Sequence, residues 1–262
     1  MIHRNAIIEW QEYAPWKEPR FVEQDLIISR ALVSIYQDEF LRTKLAFRGG
    51  TAIYKLFLTP PARYSEDIDF VQIDSEPIGS VLDRIKDVLS FLGDPKTKRK
   101  ASNNVLLYRF EATDPQGAVM QLKIEINGRE HISVFERETR PFKMESQWFS
   151  GNCDVATYRF DELIGTKMRA LYQRRKGRDL FDLYAALESG LLDVGTAIDC
   201  FRKYMAFNNH VVPTAQEYAD NLEKKMADMN FRTDLLPFLA QSVQYDIVKA
   251  YNLVRKEIIG MM

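Results

Sequence analysis

Apolar residues recur at helical spacing in the first part of the chain. Leu26, Ile27, Ala31, Leu32, Ile35, Tyr36 and Phe40 fall on one stripe, which predicts an amphipathic helix from Phe21 to Leu41. The pattern then shortens. Leu45 to Phe47 reads as a brief strand, Gly49-Gly50 as a turn, and Thr51 to Leu58 as a short helix that Pro60-Pro61 ends. Arg63 to Ile73 contains SEDIDFVQI, a strand, and Pro77 to Leu92 returns to helical period. The segment KTKRKASNN reads as a basic turn region. Val105 to Glu111 and Val119 to Asn127 are strands separated by the hairpin signal Asp114-Pro115-Gln116-Gly117. Residues 130 to 157 read as irregular or short strands. After Tyr158 the period is helical throughout: about 160–176, 178–189, 194–207, 213–229 and 235–259. This pattern predicts an α+β chain, with an α/β unit over 1–155 and a helical unit over 156–262.

Composition narrows the class. The 262 residues are 46% hydrophobic and 28% charged, values of a globular chain with a substantial core. The net charge of −1 means that any nucleic-acid contact must come from local basic patches. Cys153 and Cys200 form no CxxC and no Cys/His cluster, so reduced thiols in a cytoplasmic protein are expected rather than disulfides or structural zinc. MIHRNAIIEWQEYAP lacks the apolar run of a signal peptide, and no stretch approaches about 18 apolar residues, so no membrane contact is expected.

Candidate chemistry centres on Ser65-Glu66-Asp67-Ile68-Asp69-Phe70. Strand side chains alternate faces, so Asp67 and Asp69 share one side and Ile68 and Phe70 the other. Two adjacent carboxylates repel unless a cation lies between them. Oxygen-only ligands favour Mg²⁺, with Mn²⁺ as the alternative. A solvated strand edge with incidental acids gives the same pattern. Upstream, Arg48-Gly49-Gly50-Thr51 occupies a strand-to-helix turn, where glycines allow close backbone approach and the free N–H groups suit a phosphate. Taken alone, this turn reads more simply as a tight turn with Thr51 as helix cap. In MQLKIEIN, Lys123 and Glu125 form the polar face of a strand, so Glu125 is either a third acid near Asp67 or a solvent-facing residue.

Two helical features complete the set. Lys167 falls inside the apolar stripe of Leu163, Ile164, Ala170 and Leu171, where an ammonium needs a carboxylate or a ligand phosphate unless it snorkels to the rim. Fifteen residues later stands Asp182, the best candidate for that carboxylate. Asp179 fits a helix cap after the break at Gly177. Arg174, Arg175, Lys176 and Arg178 form one basic cluster, and Lys96, Lys98, Arg99 and Lys100 form another. Both are candidate RNA contacts, though basic clusters are also common on solvated faces.

Taken in order, FRGGTAIYKLFL, RYSEDIDF, KIEI, GTKMRAL and RKGRDLFDL resemble the AbiEii/AbiGii-type nucleotidyltransferase toxins. The resemblance implies a polymerase-beta-like core, a mixed sheet with flanking helices, followed by a helical half. It implies Asp67 and Asp69 as metal ligands, and Gly50 and Thr51, with Arg48, Gly49 and Ser65 beside them, as the nucleotide-phosphate turn. Lys167 then holds nucleotide phosphates, and Asp182, or alternatively Asp179, is the last catalytic acid. The implied activity is NMP transfer from a nucleoside triphosphate to RNA, such as a tRNA 3′ end. The implied setting is the toxin of a bacterial toxin–antitoxin or phage-defence pair, with a cognate antitoxin as partner. Transfer to a protein target, or a silent nucleotide-binding module, are the competing readings; the intact acid pair argues against silence. One departure from the superfamily is the fifteen-residue gap between Thr51 and Asp67, placed in the Pro60-Pro61 loop.

Overall fold

The computed structural model describes residues 2–99, 103–113, 116–207 and 209–262. Contacts divide the chain into two compact units, 1–158 with 240–242, and 159–239 with 243–262.

The first unit is built on seven strands. In chain order its elements are α1 (Arg4–Trp10), α2 (Pro19–Gln37), α3 (Glu39–Lys44), β1 (Leu45–Arg48), α4 (Gly49–Leu56), β2 (Asp67–Gln72), α5 (Gly79–Val88), β3 (Lys96–Arg99), β4 (Asn103–Glu111), β5 (Val119–Asn127), β6 (Glu138–Glu145) and β7 (Ser150–Thr157). The sheet order is β3-β4-β5-β2-β1-β7-β6. It is mixed: β2 runs parallel to β5 and β1 parallel to β7, and the other neighbours are antiparallel. One side of its centre is apolar. Ile68, Phe70, Ile124, Ile126 and Phe47 are fully buried, and the Tyr36 ring of α2 meets Phe70 edge-on at 6.0 Å. Pro19 starts α2 at a position where its missing N–H costs nothing.

Three predicted boundaries are corrected here. The helix expected to reach Leu41 ends at Gln37. Asp38 turns extended and accepts the Leu41 N–H at 2.9 Å, which caps α3 as a separate helix. The basic turn region instead contributes β3, paired with β4 through Lys96↔Leu107 and Arg99↔Asn104. All four residues of β3 are exposed, and charged side chains on such an edge discourage pairing with another chain. Residues 138–157 are two full strands rather than short irregular ones. Pro141 fits because β6 is the other edge.

The second unit is helical: α6 (Phe160–Gln173), α7 (Gly177–Glu188), α8 (Val194–Phe207), α9 (Ala215–Met226), α10 (Met229–Thr233) and α11 (Ile247–Glu257). Gly165 lets α6 approach α8, since a Cβ there would meet the Ala197 carbonyl oxygen at 2.7 Å. The helices expected over 213–229 and 235–259 are each interrupted. Asp228 caps α10 through the Asn230 N–H. Residues 240 and 241, which belong to the first unit, leave the helix because their N–H groups bond to the Ala62 and Pro15 carbonyls of that same unit, and Asp246 then caps α11.

Candidate active site

The turn between β1 and α4 is shaped by what lies against it. Gly49 adopts φ 81°, and a Cβ there would lie 2.4 Å from Asp69 Oδ2, so the glycine backbone presses directly on that carboxylate. Gly50 has a different neighbour. A Cβ there would lie 2.5 Å from Arg63 Nη2, and this buried arginine stacks 4.9 Å over the Tyr54 ring and donates to the Tyr64 carbonyl. Thr51 is buried at the third position of α4. Its hydroxyl donates to the Asp67 carbonyl oxygen and lies 2.9 Å from Ser65 Oγ. Thr51 and Ser65 thus brace the start of β2 against α4. The helix begins at Gly49, so Thr51 is not its cap.

Asp67 and Asp69 project from the same side of β2, and register decides their company. Parallel pairing sets Asp67 against Lys123 and Asp69 against Glu125 of β5. Lys123 Nζ lies 2.7 Å from Asp67 Oδ2 and 3.4 Å from Glu125 Oε2. Asn103 Nδ2 donates to Glu125 Oε1. On the other flank Arg48 stands opposite Asp69 in the ladder and pairs with Glu130 at 2.9 Å.

Charge is crowded at this face. Burial, then the Asp67 carboxylate, pushes the Asp69 carboxyl above the ordinary range; Glu125 adds to the rise, while Arg48 and Lys123 oppose it. Burial acts against the Lys123 ammonium, but its bond to Asp67 outweighs this and holds the pKa above the usual lysine value. Burial likewise opposes the Arg48 charge, and Glu130 more than compensates. Among the described residues no three acidic, histidine or cysteine side chains converge on one point. The donor set is nonetheless all oxygen, with a surplus of negative charge at Asp69. This fits Mg²⁺ or Mn²⁺, which take few protein carboxylates and complete their shell with water and substrate phosphate.

In the helical unit, Lys167 is buried on α6 with its Nζ 2.8 Å from Asp182 Oδ2 and 3.4 Å from Asp179 Oδ1. Both carboxylates are on α7 and fully buried. Asp179 is not the cap of α7, which starts from Lys176. It sits in the first turn and is gripped by Arg174 through two bonds of 2.7 and 2.8 Å. Burial alone raises the Asp179 carboxyl, but Lys167 and Arg174 together hold it below the ordinary range. The rest of the helical basic cluster is also paired: Arg175 with Asp228 at 3.7 Å, Lys176 with Asp234 at 3.5 Å, and Arg178 with Asp234 at 3.8 Å. In the other cluster Lys96, Lys98 and Arg99 lie on β3, and Lys100 is outside the described residues.

The sequence signature of the nucleotidyl transferase AbiEii toxin family, of type IV toxin–antitoxin systems, matches residues 30–250. This chain belongs to that AbiEii family. It is accordingly a nucleotidyltransferase of the toxin type. The AbiEii fold is similar to that of MenT4, a nucleotidyltransferase toxin of Mycobacterium tuberculosis. The TM-score is 0.65 at 14% identity, over 100% of this chain and 91% of that one. It is also similar to JHP933 from Helicobacter pylori, with TM-score 0.55 at 19% identity, over 92% of this chain and 94% of that one. No curated protein sequence matches the chain. Sequence reasoning passed over three residues of this candidate site. Lys123 was read only as part of a polar strand face, and Arg63 and Glu130 were not singled out. The ladder register and the tight packing at Gly50 bring them in, and neither leaves a periodic signal in the sequence.

Proposed function

We propose that this AbiEii toxin transfers NMP from a nucleoside triphosphate to an RNA hydroxyl, such as a tRNA 3′ end, in the cytoplasm. Its activity would be held in check by a cognate antitoxin, in a defence setting such as phage infection. The observation that carries the reading is the in-register face of Asp67, Asp69 and Glu125 beside the Gly49 backbone. When bound there, Mg²⁺ or Mn²⁺ supplies neutralising charge for the triphosphate. Asp67 and Asp69 would hold that ion. Glu125 accepts the proton of the acceptor hydroxyl as its oxygen bonds to the α-phosphorus, and the bond to the pyrophosphate oxygen breaks. Lys123 balances the acids in the resting protein. Arg48, fixed by Glu130, lies next to Asp69 and is placed to meet phosphate charge. No helix among the described residues is long and apolar enough to cross a membrane.

The experiment is incubation with α-labelled nucleotides and total bacterial lysate, followed by RNase or protease. Label lost to RNase, and absent with Asp67→Ala or Asp69→Ala protein that melts normally, is the expected result. Label that resists RNase and yields to protease would establish a protein acceptor instead. Transfer at wild-type rate by either alanine variant would remove the acid pair from the chemistry.

A further inference from the structure

The sheet face that carries Asp67 and Asp69 continues beyond β5. Directly paired residues of neighbouring strands project to the same side. Register therefore traces two rows across the sheet. One runs Asp67, Lys123, Leu107, Lys96, and the next Asp69, Glu125, Val105, Lys98. Arg109, opposite Gln121 and two residues along from Leu107, lies on the same side. Besides Lys123 and Arg48, the acid pair thus shares its face with three further cations, and β3 stands three strand spacings from β2, about 14 Å.

These cations differ from the other basic residues named above. Lys96, Lys98 and Arg109 are exposed, and none makes an ion pair or hydrogen bond with a described residue. In the helical unit a phosphate must displace Asp179, Asp228 or Asp234 to reach Arg174, Arg175, Lys176 or Arg178. Arg99, expected in the same contact surface as Lys98, alternates to the opposite side of β3. Tyr108 and Phe110 of β4 also face away, so bases find no aromatic stacking platform among these rows. What the face offers is charge for a phosphate backbone, around a half-buried Leu107 and a buried Val105.

We propose that Lys96, Lys98 and Arg109 form the path of the RNA acceptor, a sequence-independent contact to phosphates that leads over β5 to Asp67 and Asp69. The path rests on the RNA-acceptor reading above. With a net charge of −1, the attraction is local rather than that of the whole molecule, and it is salt-sensitive.

Two adjacent residues give the sharpest test, because Lys98→Glu and Arg99→Glu make the same charge change on opposite faces of one strand. Binding of fluorescein-labelled total tRNA to the full chain is followed by anisotropy over a salt series, without nucleotide. Lys98→Glu should weaken binding at least tenfold and flatten the salt slope by about one phosphate contact. Arg99→Glu should weaken it less than about threefold. The pair Lys96→Glu and Arg109→Glu should repeat the Lys98 result, and all variants should melt as wild type. Equal losses for Lys98→Glu and Arg99→Glu, or no loss for either, overturn the path and leave the RNA reading standing. A wild-type protein that binds no tRNA and labels only protein sinks the RNA reading, and the path with it.

Discussion

Lys123 Nζ stands between two carboxylates of neighbouring strands, 2.7 Å from Asp67 Oδ2 and 3.4 Å from Glu125 Oε2. The cation is supplied by a side chain at the place where the chemistry calls for positive charge. A lysine there keeps the acid face tolerable when no substrate is bound.

It follows that Lys123→Met should be less stable than wild type in buffer with chelator, and that Mg²⁺ should restore much of the loss. The pair is about one third exposed, so the effect is modest, roughly 1 kcal/mol or 2–4 °C in melting temperature. Thermal melts with and without Mg²⁺ read it. A variant that melts identically in both buffers would show that the lysine and the ion do not answer the same charge.

Gly49 should not tolerate even a methyl group. Gly49→Ala combines the left-handed backbone penalty, roughly 1–2 kcal/mol, with a Cβ placed 2.4 Å from Asp69 Oδ2. Gly93 also has a positive φ, 76°, but nothing within 4 Å of such a Cβ, so Gly93→Ala is a positive-φ control away from the carboxylate. Transfer activity should fall at least about tenfold in the folded Gly49 variant, the effect of roughly 1.4 kcal/mol at the transition state, and stay near wild type in the Gly93 variant. Equal activities would detach Asp69 from the chemistry.

Lys167→Met preserves the aliphatic stem, and the apolar stripe on α6 taken alone implies a small cost. The structure reverses that expectation. Removing the ammonium leaves Asp182 and Asp179 buried without the cation 2.8 and 3.4 Å away, a change worth about 3–5 kcal/mol. Urea unfolding measures this. The family resemblance adds a tenfold loss of nucleotide affinity in protein that remains folded, about 1.4 kcal/mol. Unchanged affinity would confine Lys167 to holding α6 against α7.

Asp179 should make the helical unit acid-sensitive. Its folded carboxyl is held below the ordinary value, so the unfolded chain takes up a proton first as pH drops. The stabilisation is fully present above about pH 5, clear of the ordinary aspartate value near 3.9. It is lost as pH falls through that value toward the lowered one. Asp179→Asn should be less stable at neutral pH and show a flatter decline between about pH 5 and 3. A variant whose stability falls as steeply as wild type over that window would place the acid sensitivity elsewhere.

Local pattern was sufficient wherever a face repeats. The period of Leu26, Ile35 and Tyr36 gave α2, the alternation in DIDF put Asp67 and Asp69 on one side of a strand, and the stripe on α6 demanded an acid for Lys167. These follow from periods of 3.6 and 2, which are written in the chain itself. The interruptions at Asp38, Asp228 and Asp246 were harder to read, because an aspartate caps a helix or sits within one depending on backbone angles that tertiary packing sets.

Register and depth were decided only by the tertiary structure. Nothing in MQLKIEIN says that Glu125 meets Asp69, or that Lys123 meets Asp67; that requires β2 and β5, distant in the chain, to lie parallel in one sheet. The role of Gly50 is likewise set by Arg63 across the turn. The sequence determined which residues share a face. The fold decided which faces adjoin, because strand pairing between distant segments is fixed by the packing of the whole apolar layer rather than by any local signal.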